Sequence, residues 1–103
     1  MHTILQLLGL AMRAKKVVAG EDFCVEGIRS GEIKYVFLAS DAGINTTKKI
    51  TDKTKYYNVF LNNEFTSKEL SNAIGKNNRM VIGIKDIGFA KKMKEIRWYY
   101  GKR

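Results

Sequence analysis

The sequence predicts an α/β fold, a three-layer α/β/α sandwich built on a small four-stranded mixed sheet. Helical and strand patterns alternate along the whole chain, and strands separated by helices need crossover connections, which cover both faces of a sheet. The run 35–39 is continuously apolar, as expected for a strand that is buried on both faces. With 103 residues, 45% of them hydrophobic, the chain is expected to form one domain over residues 1–103.

Five helices are predicted from apolar residues at helical spacing and from capping signals. Their predicted starts are Thr3 as an N-cap, Glu21 or Asp22, Asn45 or Thr46 as a cap, the capping box Thr66-Ser67-Lys68-Glu69, and Asp86. The side chains expected to face inward are Ile4, Leu7, Leu8 and Ala11, then Cys24, Val25 and Ile28, then Ile50, Thr54 and Tyr57, then Leu70, Ala73 and Ile74, and finally Phe89, Met93 and Ile96.

Four short strands are predicted between these helices. The chain contains no proline, so Gly, Asn, Asp and Ser must separate the elements. The predicted strands are 16–19, 35–39, 58–61 and 80–84.

The charge balance indicates a polyanionic partner. Lys and Arg number 19 against 10 Asp and Glu, which gives a net charge of +9 and a pI near 9.8. Nucleic acid is the first candidate partner and an anionic membrane surface is the second. No apolar run approaches the roughly 20 residues needed to cross a bilayer. The single Cys24 cannot form an internal disulfide, which favours a reducing compartment, so we expect a cytoplasmic protein.

The turn between the first strand and the second helix is a candidate binding segment. Gly20 permits a tight turn and a close approach of the backbone to a ligand. Glu21 and Asp22 would compete with phosphate for the free helix amides, but their oxygens can accept hydrogen bonds from a guanine edge. The alternative is that both carboxylates only complement the helix dipole.

The loop between the fourth helix and the last strand is the second candidate. Gly75 is a suitable C-cap, and two amides, Asn77 and Asn78, are flanked by the cations Lys76 and Arg79. Such a loop offers charge to phosphates and donors and acceptors to base edges, although an ordinary polar connection has the same composition.

Catalytic signals are sparse. His2 is the single histidine and lies at the N-terminus, and Cys24 falls on the apolar side of a helix, so neither predicts an active site or a metal site. Asp41 follows a strand, but Ser40 and Gly43 around it are also ordinary turn residues. The aromatic segment Trp98-Tyr99-Tyr100 has cations on both sides, which is typical of a surface on which bases stack. The alternative is that these aromatic side chains pack the end of a helix.

Taken together and in order, several segments resemble the kink-turn-binding ribosomal proteins of the archaeal and eukaryotic large subunit, and most closely their small bacterial YlxQ-type members. The resemblance covers nearly the whole chain. It rests on Leu8-Gly9-Leu10-Ala11, Arg13-Ala14-Lys15-Lys16-Val17, Gly20-Glu21-Asp22, the run from Val36 to Asp41, and Leu70 with Ala73-Ile74-Gly75-Lys76.

This resemblance implies non-catalytic binding of kink-turn RNA, a sharply bent internal loop flanked by tandem G·A pairs, by a ribosome-associated protein without a cofactor. The implied contact residues are Gly20, Glu21 and Asp22, with others drawn from Lys76, Asn77, Asn78, Arg79 and Met80. The basic residues Lys15 and Lys16 complete the predicted RNA-binding set. The chain departs from the family pattern at three positions. Asp22 stands where the family usually has Asn, Val25 where it has a small hydroxyl residue, and Glu26 where it has Lys or Arg.

Two other functions remain as alternatives. An RNA-processing or RNA-modifying enzyme would use Asp41, and a protein-binding adaptor would use the aromatic segment 98–100. Nothing in the sequence requires more than a monomer.

Overall fold

A computed structural model describes residues 2–101 of the chain, and the side chains of residues 2–97. Five helices alternate with four strands, as the sequence predicts. In chain order the elements are α1 (Thr3–Arg13), β1 (Val17–Ala19), α2 (Glu21–Ser30), β2 (Tyr35–Leu38), α3 (Ile44–Tyr56), β3 (Phe60–Asn62), α4 (Ser67–Ile74), β4 (Val81–Ile84) and α5 (Ile87–Gly101).

The four strands form one mixed sheet in the order β1-β4-β2-β3. Strand β4 runs antiparallel to both of its neighbours, with Ala19 opposite Ile82 in β1 and Leu38 opposite Val81 in β2. Strand β3 runs parallel to β2. The ends of β1, β2 and β3 therefore lie at the same end of the sheet as the beginning of β4.

The helices cover both faces, which confirms the predicted three-layer sandwich. Helix α1 contacts α4 and α5 on one face, and α2 contacts α3 on the other. Every residue of β2 and β4 is buried, which agrees with an apolar run covered on both sides. None of the helices within residues 2–101 is both long enough and apolar enough to cross a bilayer.

Two glycines let α2 lie close to the sheet. The side chain of Ile33, which is fully buried, fits between Gly27 of α2 and Gly83 of β4, and a Cβ atom at either glycine would clash with it. Close packing at this point fixes the C-terminal half of α2 relative to the strands beneath it.

Most local signals are confirmed, and the errors concern helix ends. The Thr66 capping box forms as predicted, with both reciprocal hydrogen bonds present. The prediction of Thr3 as the N-cap of α1 is wrong. His2 is the N-cap, and its Nδ1 accepts the Ile4 N–H at 3.1 Å. Gly43, and neither Asn45 nor Thr46, is the N-cap of α3.

The third strand begins later than the sequence predicts. Tyr57 caps the C-terminus of α3 and is 38% exposed, so its predicted inward position is wrong. Asn58 then adopts φ 57°, and Val59 donates its N–H to Thr54 of the helix. These residues complete the helix end, which leaves only Phe60–Asn62 to pair with β2.

Candidate functional site

Four connections meet at one end of the sheet, which we call the Gly20 end. They are the turn at 20, the β2–α3 connection 39–43, the β3–α4 connection 63–66 and the α4–β4 loop 75–80. We call the opposite end the Lys85 end. It carries the connections 14–16, 31–34, 57–59 and 85–86.

Backbone hydrogen bonds join the four connections of the Gly20 end in a row. Because β4 is central in the sheet, its first residues bond to the turn on one side and to the end of β2 on the other. The three bonds run from Gly20 N–H to the Val81 carbonyl (2.9 Å), from Ala39 N–H to the Met80 carbonyl (2.8 Å), and from Ser40 N–H to the Phe65 carbonyl (2.8 Å). The two predicted binding loops are thus immediate neighbours.

The turn before α2 depends on glycine. Gly20 has φ 116° and ψ 146°, a conformation that side-chain-bearing residues rarely adopt, and no side chain caps the helix that follows. Asp22 is exposed on the first turn of α2. The ring of Phe23, 71% exposed, lies beside Gly20 and presents an aromatic face to solvent.

Glu21 lies in the same turn, but its carboxylate is bonded to α3. It accepts a hydrogen bond from the Thr46 hydroxyl at 2.6 Å and forms an ion pair with Lys49 Nζ at 2.9 Å. The Thr46 hydroxyl, and next Lys49, lower the pKa of this carboxyl. Glu21 therefore links the starts of α2 and α3, whereas the side chain of Asp22 is exposed to solvent.

The loop 75–80 is held against α4 by Ser71. After Gly75 ends the helix in the left-handed conformation, the Lys76 N–H donates to the Ser71 carbonyl and the Arg79 N–H donates to the Ser71 hydroxyl, both at 2.9 Å. Asn78 takes φ 54°, a value that Asn adopts more readily than most residues. Two backbone anchors thus fix the loop.

Side chains of this loop present varied hydrogen-bonding groups. Lys76, Asn77 and Asn78 are exposed. Arg79 is half-buried, and within the described part of the chain its Nε has no hydrogen-bond partner. A cavity of about 270 Å³ lies between the loop and α4, lined by the hydroxyl and amide side chains of Ser67, Ser71, Asn72, Asn77 and Asn78, together with Lys68.

Lys15 and Lys16 are not part of this group. They precede β1 and lie at the Lys85 end, where the Lys16 carbonyl accepts the Lys85 N–H at 2.9 Å. The remaining predicted site residues lie at the Gly20 end, including Met80, which packs against the apolar cores on both faces of the sheet.

Residues considered for chemistry have structural partners. The Asp41 carboxylate accepts the Ser67 N–H and hydroxyl, both at 2.8 Å, and these bonds lower its pKa. Burial raises the pKa of the Cys24 thiol to about 12, which suppresses its nucleophilic form. Among the described residues, no three His, Cys, Asp or Glu side chains form a group that could hold a metal ion. The side chains of Trp98, Tyr99 and Tyr100 lie outside the described part.

Several residues of the Gly20 end escaped the sequence interpretation. Phe23 lies off the apolar stripe of Cys24 and Ile28, so its exposure was readable from helical spacing. Ile44, at the first position of α3, is 84% exposed, and it too lies off the apolar stripe of its helix. Thr46 and Lys49 contact Glu21 across more than 20 residues of sequence, and no local pattern signals that contact.

The model of the ribosomal protein L7Ae/L30e/S12e/Gadd45 family matches residues 2–94. The chain belongs to this family. Two similar curated proteins are both named RNA-binding protein YlxQ. The one from Enterococcus faecium is 48% identical over 92 residues, covering 89% of this chain and 88% of that protein. The one from Bacillus subtilis (strain 168) is 47% identical over 87 residues, covering 84% and 87%.

Two solved structures have the same fold. A protein of unknown function from Bacillus halodurans C has 41% identity and a TM-score of 0.90, over 93% of this chain and 97% of that one. The Giardia lamblia 15.5kD RNA binding protein has a TM-score of 0.80 at 17% identity, over 89% and 79%, and this likeness concerns the fold. The protein is thus a bacterial YlxQ-type, non-enzymatic member of its family.

Ser71→Ala should loosen the loop 75–80 while the fold remains. The variant removes the acceptor of the Arg79 N–H, and losing a buried hydrogen bond costs about 1 kcal/mol or more of unfolding free energy. We expect the Arg79 amide to exchange with solvent at least about fivefold faster, as measured by NMR hydrogen exchange. Ser30→Ala, which removes a hydroxyl at the other end, is the control. Equal Arg79 exchange in both variants would show that Ser71 does not hold the loop.

Proposed function

We propose that this protein binds kink-turn RNA at the Gly20 end, without making or breaking a bond. The observation that carries the proposal is the hydrogen bond from Gly20 to Val81, which brings the Gly20 turn beside the residue that directly follows the loop 75–80. A single sharp RNA bend can touch both segments only if they are adjacent and held in register. The names of the YlxQ relatives support RNA as the ligand.

The Gly20 turn reads the guanine edges of the tandem G·A pairs. Gly20 leaves room for the base to approach the backbone, and the exposed carboxylate of Asp22 accepts hydrogen bonds from the guanine N–H groups. Glu21 acts indirectly, because its bonds to Thr46 and Lys49 fix the turn. The exposed ring of Phe23 stacks on a neighbouring unpaired base.

The loop 75–80 covers the nucleotide that the kink turns outward. Its amides, Asn77 and Asn78, bond to base edges, while Lys76 and Arg79 contact the phosphates that the bend brings together. Because Ser71 fixes the loop beforehand, little conformational entropy is lost when the RNA binds.

Charge and cysteine chemistry support a cytoplasmic, RNA-associated setting. A net charge of +9 favours association with ribosomal or other structured RNA. One buried, unreactive cysteine suits the cytoplasm, and the monomer suffices because one end of one sheet supplies both loops.

Asp22→Ala and Arg79→Ala should each weaken binding to a kink-turn RNA by about tenfold or more. A hydrogen bond to a charged group contributes about 1.5–3 kcal/mol, and each variant removes one such group from the proposed contact. The dissociation constants are measured by fluorescence anisotropy at fixed salt, with a duplex lacking the G·A pairs as the reference RNA. Lys92→Ala, at an exposed position on α5, is the control and should alter only the salt-dependent background. Unchanged affinity in both site variants would exclude this site.

Glu26→Lys should tighten kink-turn binding by about fivefold at low salt. Glu26 is exposed one helical turn after Asp22 and repels the phosphates next to the proposed contact. The gain should shrink as salt is raised, because the charges are exposed. Glu95→Lys makes the same change of charge on α5 and serves as the control. An equal gain in both variants would mean that only net charge matters.

A further inference from the structure

Charge is divided unequally between the two ends of the sheet. At the Gly20 end, acids offset the cations, and the two ion pairs formed by described side chains, Lys49–Glu21 and Arg97–Glu64, both lie there. The connections of the Lys85 end carry Lys15, Lys16, Lys34 and Lys85 against Glu32 and Asp86. One of those acids, Asp86, accepts the Phe89 N–H at the start of α5.

A cavity of about 510 Å³ opens at this basic end. Its apolar floor combines the exposed side chain of Ile87 with the buried Ile28, Ile33 and Ala90 beneath the surface, and the half-exposed ring of Tyr57 forms one wall. The volume falls within the range of roughly 300–1,000 Å³ that is typical of sites for small organic ligands. This volume and partly apolar lining suit a flat aromatic group of the size of a nucleobase.

Four cations surround the cavity: Arg29, Lys34, Lys91 and Lys94. All four are exposed, and within the described part of the chain none forms an ion pair. Lys34 is positioned by its Nζ, which donates to the Gly31 carbonyl at 2.6 Å. Among residues 2–97, no acidic side chain lines the cavity, so the local potential favours an anion.

We infer that this cavity is a second RNA-binding site, specific for a single strand and separate from the kink-turn site. One base lies on the apolar floor against Tyr57, and the flanking phosphates contact Arg29, Lys34, Lys91 and Lys94. An aromatic wall inside a cationic rim is the arrangement by which proteins bind single strands without sequence preference. The inference rests on the proposed function in that it takes RNA as the ligand.

The two sites are far enough apart for separate occupation. The protein measures 29 × 29 × 26 Å along its principal axes, and the sites lie at opposite ends of the sheet. A strand of about ten stacked nucleotides, at roughly 3.4 Å each, could therefore extend from a bound kink to the cavity. Lys15 and Lys16 lie at the same end of the sheet as this second site but do not line the cavity.

The test uses decauridylate, an unstructured RNA that contains no G·A pair. Its dissociation constant is measured by fluorescence anisotropy over a range of salt concentrations. Removing two phosphate contacts with Arg29→Gln/Lys94→Gln should weaken binding about tenfold and lower the salt slope by about 1.4, since each single-strand contact contributes about 0.7. Tyr57→Ala should weaken binding about fivefold and leave the salt slope unchanged, because it removes stacking and no charge.

The control variant, Lys48→Gln/Lys92→Gln, removes the same charge from residues outside the cavity lining. It should lower the affinity for decauridylate far less than Arg29→Gln/Lys94→Gln does. Equal losses in the two double variants would overturn the inference, because the attraction would then belong to the whole surface. An unchanged affinity in Tyr57→Ala would overturn it too, since the base would not occupy the cavity.

Failure of this inference and failure of the proposed function give different results. One equivalent of kink-turn RNA should leave bound decauridylate in place if the sites are separate, and displacement would contradict the second site. If Arg29→Gln/Lys94→Gln abolishes decauridylate binding, the second site is supported. That result holds even if the protein does not prefer a kink-turn RNA over a duplex.

Discussion

The row of backbone hydrogen bonds at the Gly20 end is the constraint on which the other features depend. Strand β4 is central and antiparallel to both neighbours, so its first residues lie between the ends of β1 and β2. Gly20 and Ala39 donate their N–H groups to consecutive residues, Val81 and Met80. These bonds fix the Gly20 turn relative to the loop 75–80, which is about 60 residues away in sequence. Besides this register, the site uses three left-handed or unusual backbone positions, the Gly20 turn, the Gly75 helix cap and Asn78 in the loop.

Signals carried by adjacent residues were sufficient for much of this architecture. Gly20 and Gly31 delimit α2, and Thr66 with Glu69 sets the start of α4, because each signal acts within a few residues. The sequence also indicated both loops of the Gly20 end. Lys15 and Lys16 were grouped with those loops because they are near Gly20 in sequence, although the short strand β1 separates them in space.

Contacts between distant segments were beyond the reach of such signals. The carboxylate of Glu21 looks free in the sequence, yet Thr46 and Lys49 hold it from another helix. Asp41 looks like a candidate catalytic acid, yet its carboxylate accepts hydrogen bonds from the N–H and hydroxyl of Ser67. The division of charge between the two ends likewise depends on strand order, so the +9 total gave no sign of where RNA would be attracted. Polar side chains at the Gly20 end suit base edges, whereas unpaired cations at the Lys85 end suit phosphates.

The most direct test of the account is an NMR titration of the labelled protein with a kink-turn RNA that has no single-stranded extension. We expect the largest amide shift changes at residues 20–23 and 76–80, with smaller changes at 39–43, since these segments share one hydrogen-bonded row. Amides of 14–16 and 57–59, at the opposite end, should change little. Shift changes concentrated at 14–16 and 57–59, with 20–23 and 76–80 unaffected, would contradict it.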